Sequence, residues 1–134
     1  MTEFIQAALQ ARKNSYAKYS HFTVGAALLT QDGKIYLGTN IENASYPVGI
    51  CAERAAFAAA LTAGERNFRA IALIGGPAEK EILEEYCLPC GMCRQFMAEF
   101  CTEKFQIISV KSEKDYRIFS FGEIMPHSFQ LKND

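Results

Sequence analysis

Three cysteines are placed where their thiolates could bind one metal ion. Cys90 and Cys93 are three residues apart at the start of a helix-forming run, and Cys51 precedes a second such run. Structural zinc sites are normally closed by four protein ligands, whereas catalytic sites have three protein ligands and a water molecule. Three thiolates beside Glu53, a carboxylate that the metal does not need, therefore predict a catalytic zinc site.

The helix N-termini predicted at these cysteines affect the chemistry of the site. Partial positive charge at a helix N-terminus lowers the pKa of a thiol, so the cysteines would be poised as thiolates. Three thiolates leave a negative centre, which Arg54 is expected to offset by hydrogen bonding to sulfur, with Gln95 a candidate for a second such bond. Because zinc brings the pKa of its bound water towards roughly 7, Glu53 is predicted to carry the proton.

Cys87 leaves an alternative of a different class open. With Cys90 and Cys93 it forms a C-x-x-C-x-x-C run, but no fourth cysteine followed by proline comes three residues later, which disfavours an iron–sulfur cluster. These three cysteines and Cys51 could instead form a closed Cys₄ zinc site in a non-catalytic structural or interaction domain. We prefer the open site because a closed site leaves Glu53 without a purpose.

Length and composition limit the classes of protein. A chain of 134 residues fits a single domain, 1–134, with its own core. The hydrophobic and charged fractions, 49% and 22%, are typical of a soluble globular protein, and a formal net charge of −1 disfavours binding to nucleic acid or an anionic membrane. No segment resembles a signal sequence or a membrane span. Five cysteines, three of them in the seven residues 87–93, favour metal binding in a reducing compartment, so we expect a cytoplasmic protein.

The elements that must position the cysteines begin with a helix and a hairpin. Thr2 is expected to cap a helix whose apolar stripe extends to near Tyr16. Residues 23–29 and 35–37 favour strands, and the Asp-Gly turn signal between them predicts an antiparallel pair. Three small residues at 25–27 predict that a helix packs closely over the first strand.

The next elements lead to the first predicted ligand and back into the core. A loop over residues 41–50 precedes Cys51, and the alanine-rich run 52–63 predicts a helix that ends at Gly64. Residues 69–74 are predicted to form a buried strand, because the continuous apolar run 70–74 is typical of a strand covered on both faces.

The second half of the chain is expected to complete the sheet. Residues 78–86 are charged and favour a short surface helix, and residues 91–101 predict a deeply buried helix. Strands over 106–110 and 116–119 are joined too closely for a crossover, so they should be antiparallel. A capping box beginning at Ser120 predicts a short closing helix that ends before a proline and a terminal tail.

Together these elements predict an α/β fold in which a five-stranded mixed sheet has helices on both faces. The two halves of the metal site would then lie at the N-termini of two neighbouring helices.

Four segments that include the cysteines resemble one known family. They are residues 22–27 (FTVGAA), 40–44 (NIENA), 51–53 (CAE) and 89–95 (PCGMCRQ). Their joint occurrence is similar to the zinc-dependent cytidine deaminases of the small homotetrameric branch, whose superfamily signature has a three-cysteine variant and a glutamate that is not a ligand. The resemblance covers nearly the whole chain and implies the three-layer α-β-α cytidine deaminase-like fold.

The resemblance also implies a reaction. One Zn²⁺ per chain would activate water for attack on C4 of the base in cytidine or deoxycytidine. Glu53 would move a proton from that water to N3 and then to the departing amine, giving uridine or deoxyuridine and ammonia, in pyrimidine salvage.

The family further suggests which residues bind the nucleoside. Phe22 would stack on the pyrimidine, and Ala52 would offer a backbone amide near the base. Asn40 and Glu42 would bind the ribose hydroxyl, and Phe129 would reach the site of a neighbouring subunit in a homotetramer with shared active sites.

Within this reading the exact substrate stays open. Blasticidin S deaminases share the zinc motifs, and deaminases of other nucleosides, of nucleotides or of bases in nucleic acid share the chemistry. The absence of a basic cluster near the acidic ribose site favours a small-molecule nucleoside, with neither nucleic acid nor membrane as a partner.

Overall fold

A five-stranded mixed sheet forms the centre of the computed structural model, which describes residues 1–132. The strands are β1 (Phe22–Thr30), β2 (Ile35–Thr39), β3 (Phe68–Pro77), β4 (Gln106–Ser112) and β5 (Asp115–Ser120). The helices are α1 (Thr2–Arg12), α2 (Ala52–Thr62), α3 (Gly91–Ala98) and α4 (Phe121–Ile124), with one 3₁₀ turn at Tyr46–Val48. The order is β2-β1-β3-β4-β5, in which β3 and β4 are parallel and the other pairs antiparallel. The predicted mixed sheet is confirmed.

The central strand β3 is buried on both of its faces. Ile71 and Leu73 pack into the core beneath α2, α3 and α4, whereas Ala72 and Ile74 pack into a second core beneath α1. Successive side chains of a strand point to opposite faces, so a continuous apolar run is required when helices cover both. The predicted three layers are therefore confirmed.

Two glycines let helices lie directly on the sheet. A Cβ on Gly25 would be 2.2 Å from the carbonyl oxygen of Ala8 in α1, and one on Gly38 would be 2.3 Å from that of Ala52 in α2. This confirms the helix expected over residues 25–27. Because α2 contacts the backbone of β2, the sheet fixes how far the first turn of α2 lies from it.

The C-terminus of α2 stops as the sequence predicts. Gly64 has φ +96°, a left-handed conformation that glycine adopts without steric cost. Its amide donates to the Leu61 carbonyl at 3.0 Å, and the Glu65 amide donates to the Ala60 carbonyl at 3.0 Å. These two bonds form a Schellman motif, which satisfies the last carbonyls of the helix.

The prediction for α1 was wrong at both ends. Met1 occupies the N-cap position, so Thr2 lies inside the helix and does not cap it. The helix ends at Arg12 and not near Tyr16, because the Tyr16 amide donates to the Asn40 carbonyl at 3.1 Å. A long-range backbone bond therefore takes the place of another helical turn.

Residues 78–86 form turns and bends, so the predicted surface helix is wrong. Leu83 is buried over Gly76, where a Cβ would be 2.3 Å from a Leu83 methyl carbon. The Arg12 guanidinium donates to the carbonyls of Pro77 and Lys80 at 2.7 and 3.1 Å. These tertiary contacts hold the segment in an irregular path.

The last elements agree with prediction except for the length and burial of α3. This helix ends at Ala98 instead of 101, and Met92 in its first turn is 66% exposed, so it is not deeply buried. Strands β4 and β5 are antiparallel, and the Ser120 capping box at α4 is present with both bonds at 3.2 Å. In the described range no helix has the length and hydropathy to cross a bilayer.

Candidate active site

The three cysteines meet where α2 and α3 begin. Cys51 and Cys90 are the N-cap residues of these helices, and Cys93 lies in the first turn of α3. Their Sγ atoms all lie within 4.8 Å of one another, with Cys51 and Cys90 4.0 Å apart. Tetrahedral zinc with Zn–S bonds of about 2.3 Å requires sulfurs about 3.8 Å apart, so small side-chain movements would let the trio bind one zinc ion.

Cys87 lies outside this group. Its sulfur is not within 4.8 Å of all three others, and its backbone carbonyl accepts a hydrogen bond from Ser109 Oγ. Burial, together with the negative charges of Glu53 and Cys51, raises the pKa of Cys87 to about 12. The structure therefore brings three cysteines together and leaves Cys87 on the pocket wall, which favours the open site over the closed Cys₄ site.

The trio holds negative charge even without a metal. Contact with the Cys93 thiol, aided by Arg54 and opposed by burial, lowers the pKa of Cys51 to about 5. Cys93 serves as the proton donor to Cys51, which together with burial raises its own pKa. The predicted thiolate character is therefore concentrated on Cys51, and bound zinc would displace the remaining protons.

Arg54 lies against the sulfurs, as predicted. Burial lowers the pKa of its guanidinium, but contacts with Cys51 and Cys93 outweigh that effect and leave the pKa raised. Its buried Nε has no hydrogen-bond partner among the described residues. The positive charge faces the cluster that it is expected to neutralise.

Glu53 is buried at the first turn of α2, with 6% of its surface exposed. Burial is the main cause that raises the pKa of its carboxyl, and the charge of Cys51 adds to it. Glu53 lines the same pocket as Cys51 but is not part of the sulfur cluster. A carboxyl that can hold a proton closer to neutral pH suits proton transfer.

A pocket of about 660 Å³ opens over the cluster, a volume typical of small-molecule sites. It is lined by most of the residues that the sequence singles out: Phe22, Asn40, Glu42, Cys51, Ala52, Glu53, Arg54 and Cys90. These residues come from the start of β1, the end of β2 and the loop that follows it, α2, and the segment before α3.

Asn40 holds the start of β1 at the pocket. Its Oδ1 accepts from the Val24 amide at 2.9 Å and from the Ser15 hydroxyl, and its Nδ2 donates to the Phe22 carbonyl at 2.8 Å. Phe22 is exposed and forms part of the pocket wall.

Glu42 is held by two residues to which no motif in the sequence points. Its carboxylate accepts from the amides of Tyr19 and Ser20 at 2.9 and 3.0 Å and from the Ser20 hydroxyl. The hydrogen bonds from Ser20, followed by that from Tyr19, lower the pKa of Glu42. Both residues line the pocket, and only their position just before the 22–27 segment could have drawn attention to them.

Two predicted residues, Gln95 and Phe129, lie away from both the sulfur cluster and this pocket. Gln95 donates from Nε2 to the Phe129 carbonyl at 3.0 Å and makes no bond to a site sulfur within residues 1–132, which corrects its predicted contact. Phe129 is 67% exposed on the C-terminal tail and does not line the pocket of its own chain. Tyr46, which the sequence left unassigned, is 74% exposed and does line it.

Comparisons with known proteins agree with this geometry. The family described as the cytidine and deoxycytidylate deaminase zinc-binding region matches residues 1–109. A cytidine deaminase of Halalkalibacterium halodurans is 40% identical over 129 residues, covering 96% of this chain and 93% of the relative. One from Sporosarcina psychrophila is 39% identical over 127 residues, covering 92% and 87%.

A crystal structure of cytidine deaminase from Burkholderia pseudomallei superposes with a TM-score of 0.85 at 43% identity, covering 95% of this chain and 97% of that one. The matched region spans both helices that present the cysteines. With sulfur geometry, fold and sequence in agreement, the chain belongs to the cytidine and deoxycytidylate deaminase family.

Proposed function

We propose that this protein is a hydrolase acting on cyclic amidines, which deaminates cytidine and deoxycytidine to uridine and deoxyuridine and releases ammonia. The observation that carries the proposal is the buried carboxyl of Glu53 beside the three-cysteine cluster, at a pocket of nucleoside size. A structural zinc domain has no use for either feature.

In this proposal Cys51, Cys90 and Cys93 hold one zinc ion per chain. Bound zinc supplies Lewis-acid activation of a water molecule. Glu53 accepts one proton from the attacking water and delivers it to N3 of the base. It then accepts the second proton from the hydroxyl on C4, as this becomes the carbonyl of the product, and delivers it to the departing amine. Its raised pKa lets it act as an acid after it has acted as a base. Arg54 offsets part of the negative charge of the thiolates.

The remaining pocket residues bind the nucleoside. Phe22 stacks on the pyrimidine, and the Ala52 amide, in the first turn of α2, has no helical partner and is available to the base. Asn40 and Glu42 anchor the ribose. Three donors already bond to Glu42, but a carboxylate offers about four acceptor positions, so capacity remains for a hydroxyl.

The test is a comparison of kcat/KM for cytidine, deoxycytidine, cytosine, CMP and blasticidin S on the wild type and on Glu42→Gln. We expect the two nucleosides to react best. Cytosine would leave the ribose-binding groups unpaired, and a phosphate would approach the Glu42 carboxylate. Equal turnover of CMP or blasticidin S, or an unchanged cytidine value in the variant, would contradict the ribose-anchor role.

We also propose a homotetramer in which Phe129 completes a neighbouring subunit's site. Apolar side chains that are exposed around the pocket support this, because clustered exposed apolar residues mark interaction surfaces. They include Tyr46 and Met92 at the pocket and Phe129 on the tail.

The thiolate chemistry of the site also bears on where the protein works. We propose one deaminase domain over residues 1–134, working in pyrimidine salvage in the cytoplasm with no nucleic acid or membrane partner. All five cysteines are free, which suits a reducing compartment where thiolates can bind metal.

A further inference from the structure

The ligand Cys90 stands at the end of a segment that belongs to no helix or strand. Residues 86–90 have no regular secondary structure, and α3 begins only at Gly91. Pro89 fixes its own φ and restricts Leu88 to extended conformations, so residues 87–90 form a stiff link. Whatever holds one end of this link therefore sets the direction of the other.

Ser109 holds the far end of the link. It is fully buried in β4 between Ile108 and Val110, and its hydroxyl donates to the Cys87 carbonyl. A buried hydroxyl is costly unless it is hydrogen bonded, and this is the only side-chain bond that Ser109 makes within the described residues. The bond ties the sheet directly to the segment that carries a ligand.

A second bond holds the link closer to Cys90. Arg94 in α3 donates from Nε to the Pro89 carbonyl and from a terminal nitrogen to the Ile124 carbonyl, both at 2.8 Å. The carbonyls that Ser109 and Arg94 hold within the link, those of Cys87 and Pro89, lie on either side of Leu88. Arg94 moves with α3, whereas Ser109 belongs to β4, so the Ser109 bond is the buried hydrogen bond that relates the link to the rigid sheet.

Tyr86, the residue before the link, packs on the hairpin that β4 and β5 form. The centre of the Tyr86 ring lies 4.3 Å from the Lys111 ammonium and 4.4 Å from the Arg117 guanidinium, and the Tyr86 hydroxyl bonds to Asp115. These contacts are exposed and weakly held by comparison with the buried Ser109 bond. They bring the segment to β4 and β5, where Ser109 can fix it.

We infer that Ser109 is a positioning residue for the metal ligand Cys90, acting through the Cys87 carbonyl and the stiff 87–90 link. The inference rests on the proposed zinc site. Without the hydroxyl the link keeps the packing of the Cys87 side chain over Gly75 but loses its hydrogen bond to the sheet, so the Cys90 sulfur is held less firmly 4.0 Å from that of Cys51. Groups that orient ligands contribute to metal affinity without touching the metal.

The test measures zinc release from the full-length protein to a coloured chelator, together with thermal unfolding of the zinc-free forms. Ser109→Ala should release zinc roughly 10- to 100-fold faster than the wild type. Thr30→Val is the matched control, because Thr30 is an equally buried hydroxyl in β1 that bonds to Asp32 away from the site. It should lose stability in the zinc-free form but release zinc like the wild type.

A second pair of variants keeps the test decisive if alanine prevents folding. Threonine and valine are nearly the same size and differ in the hydroxyl, so only Ser109→Thr should retain the slow release of zinc. Release from Ser109→Ala within about threefold of the Thr30→Val rate, or equal rates for the threonine and valine variants, would overturn the inference. A wild-type protein that binds no zinc would instead overturn the proposed function.

Discussion

Glu53 combines burial with a position next to the ligands but outside their cluster. Glu53→Gln keeps the size of the side chain and removes its ability to carry a proton. We expect about one zinc per chain to remain while kcat falls roughly 10²- to 10⁴-fold, the loss attributable to general acid–base catalysis. Metal analysis and steady-state kinetics on the same sample check both values.

Glu65→Gln is a suitable control for that substitution. Its carboxylate is also largely buried and accepts from the Tyr36 hydroxyl at 2.8 Å, but it does not line the pocket. The control should retain activity. Loss of zinc in Glu53→Gln would show that Glu53 is needed to hold the metal and would remove its assignment as the proton carrier alone.

The hydrogen bonds of Glu42 predict a pH dependence of the free energy of unfolding, which can be measured without substrate. The hydrogen bonds from Ser20 and Tyr19 lower its pKa below the ordinary value of 4.5. The folded state therefore favours the carboxylate, and the stabilisation is complete above pH 4.5 and is lost as pH falls through the lowered folded pKa. The free energy of unfolding should be greater for the wild type than for Glu42→Gln by an amount that is constant near neutral pH.

Urea unfolding of the two zinc-free proteins over a series of acidic pH values measures that difference. It should shrink on acidification as Glu42 becomes protonated in the folded state. A difference that stays the same down to acid denaturation would mean that the bonds from Ser20 and Tyr19 do not favour the charged form in solution.

The contact of α2 with the sheet links a structural element to the chemistry. Gly38→Ala would place a methyl group 2.3 Å from the Ala52 carbonyl oxygen, and Gly25→Ala would place one 2.2 Å from that of Ala8. Helix backbone cannot swing aside as a side chain can, so each variant should lose about 1–3 kcal/mol or more of stability. Only Gly38→Ala displaces α2, which carries Cys51 and Glu53.

Chemical unfolding and zinc content, measured together on both variants, separate the two effects. Gly25→Ala should be destabilised but bind zinc normally, whereas Gly38→Ala should also lose zinc affinity and activity. Equal zinc binding by the two would show that the position of α2 on β2 does not control the site.

The assembly of whole chains determines whether Phe129 takes part in the reaction. Because this side chain is 67% exposed, Phe129→Ala should leave zinc content and unfolding of the isolated chain unchanged while raising KM. When Phe129→Ala subunits are mixed with inactive Glu53→Gln subunits, activity at low substrate concentration should rise, since some sites would then combine an intact Glu53 with a neighbour's Phe129. Ile82→Ala, which removes another exposed apolar side chain, should leave zinc content, unfolding and KM unchanged.

Sedimentation at the assay concentration accompanies this mixing experiment. A tetramer with complementation supports shared sites. A fully active monomer, or a Phe129→Ala variant with an unchanged KM, would be inconsistent with them.

Features with a short-range physical cause could be predicted from the sequence. The Asp-Gly hairpin, the glycine stop at Gly64 and the Ser120 capping box depend on residues within a few positions of one another, and all three are present. The ligand motifs are local as well, because an N-cap cysteine and one three residues later necessarily point to the same side of a helix start.

Features that depend on competition between distant partners were decided only by the tertiary structure. Tyr16 left the helical pattern because its amide bonds to Asn40, and residues 78–86 did not become a helix because Arg12 and Leu83 hold them otherwise. The spacing of Cys87 is as regular as that of the ligands, yet the bond from Ser109 holds its backbone where its sulfur lies outside the cluster. Spacing along the chain records which groups are neighbours, but each backbone group pairs with whichever partner the packed sheet brings within reach.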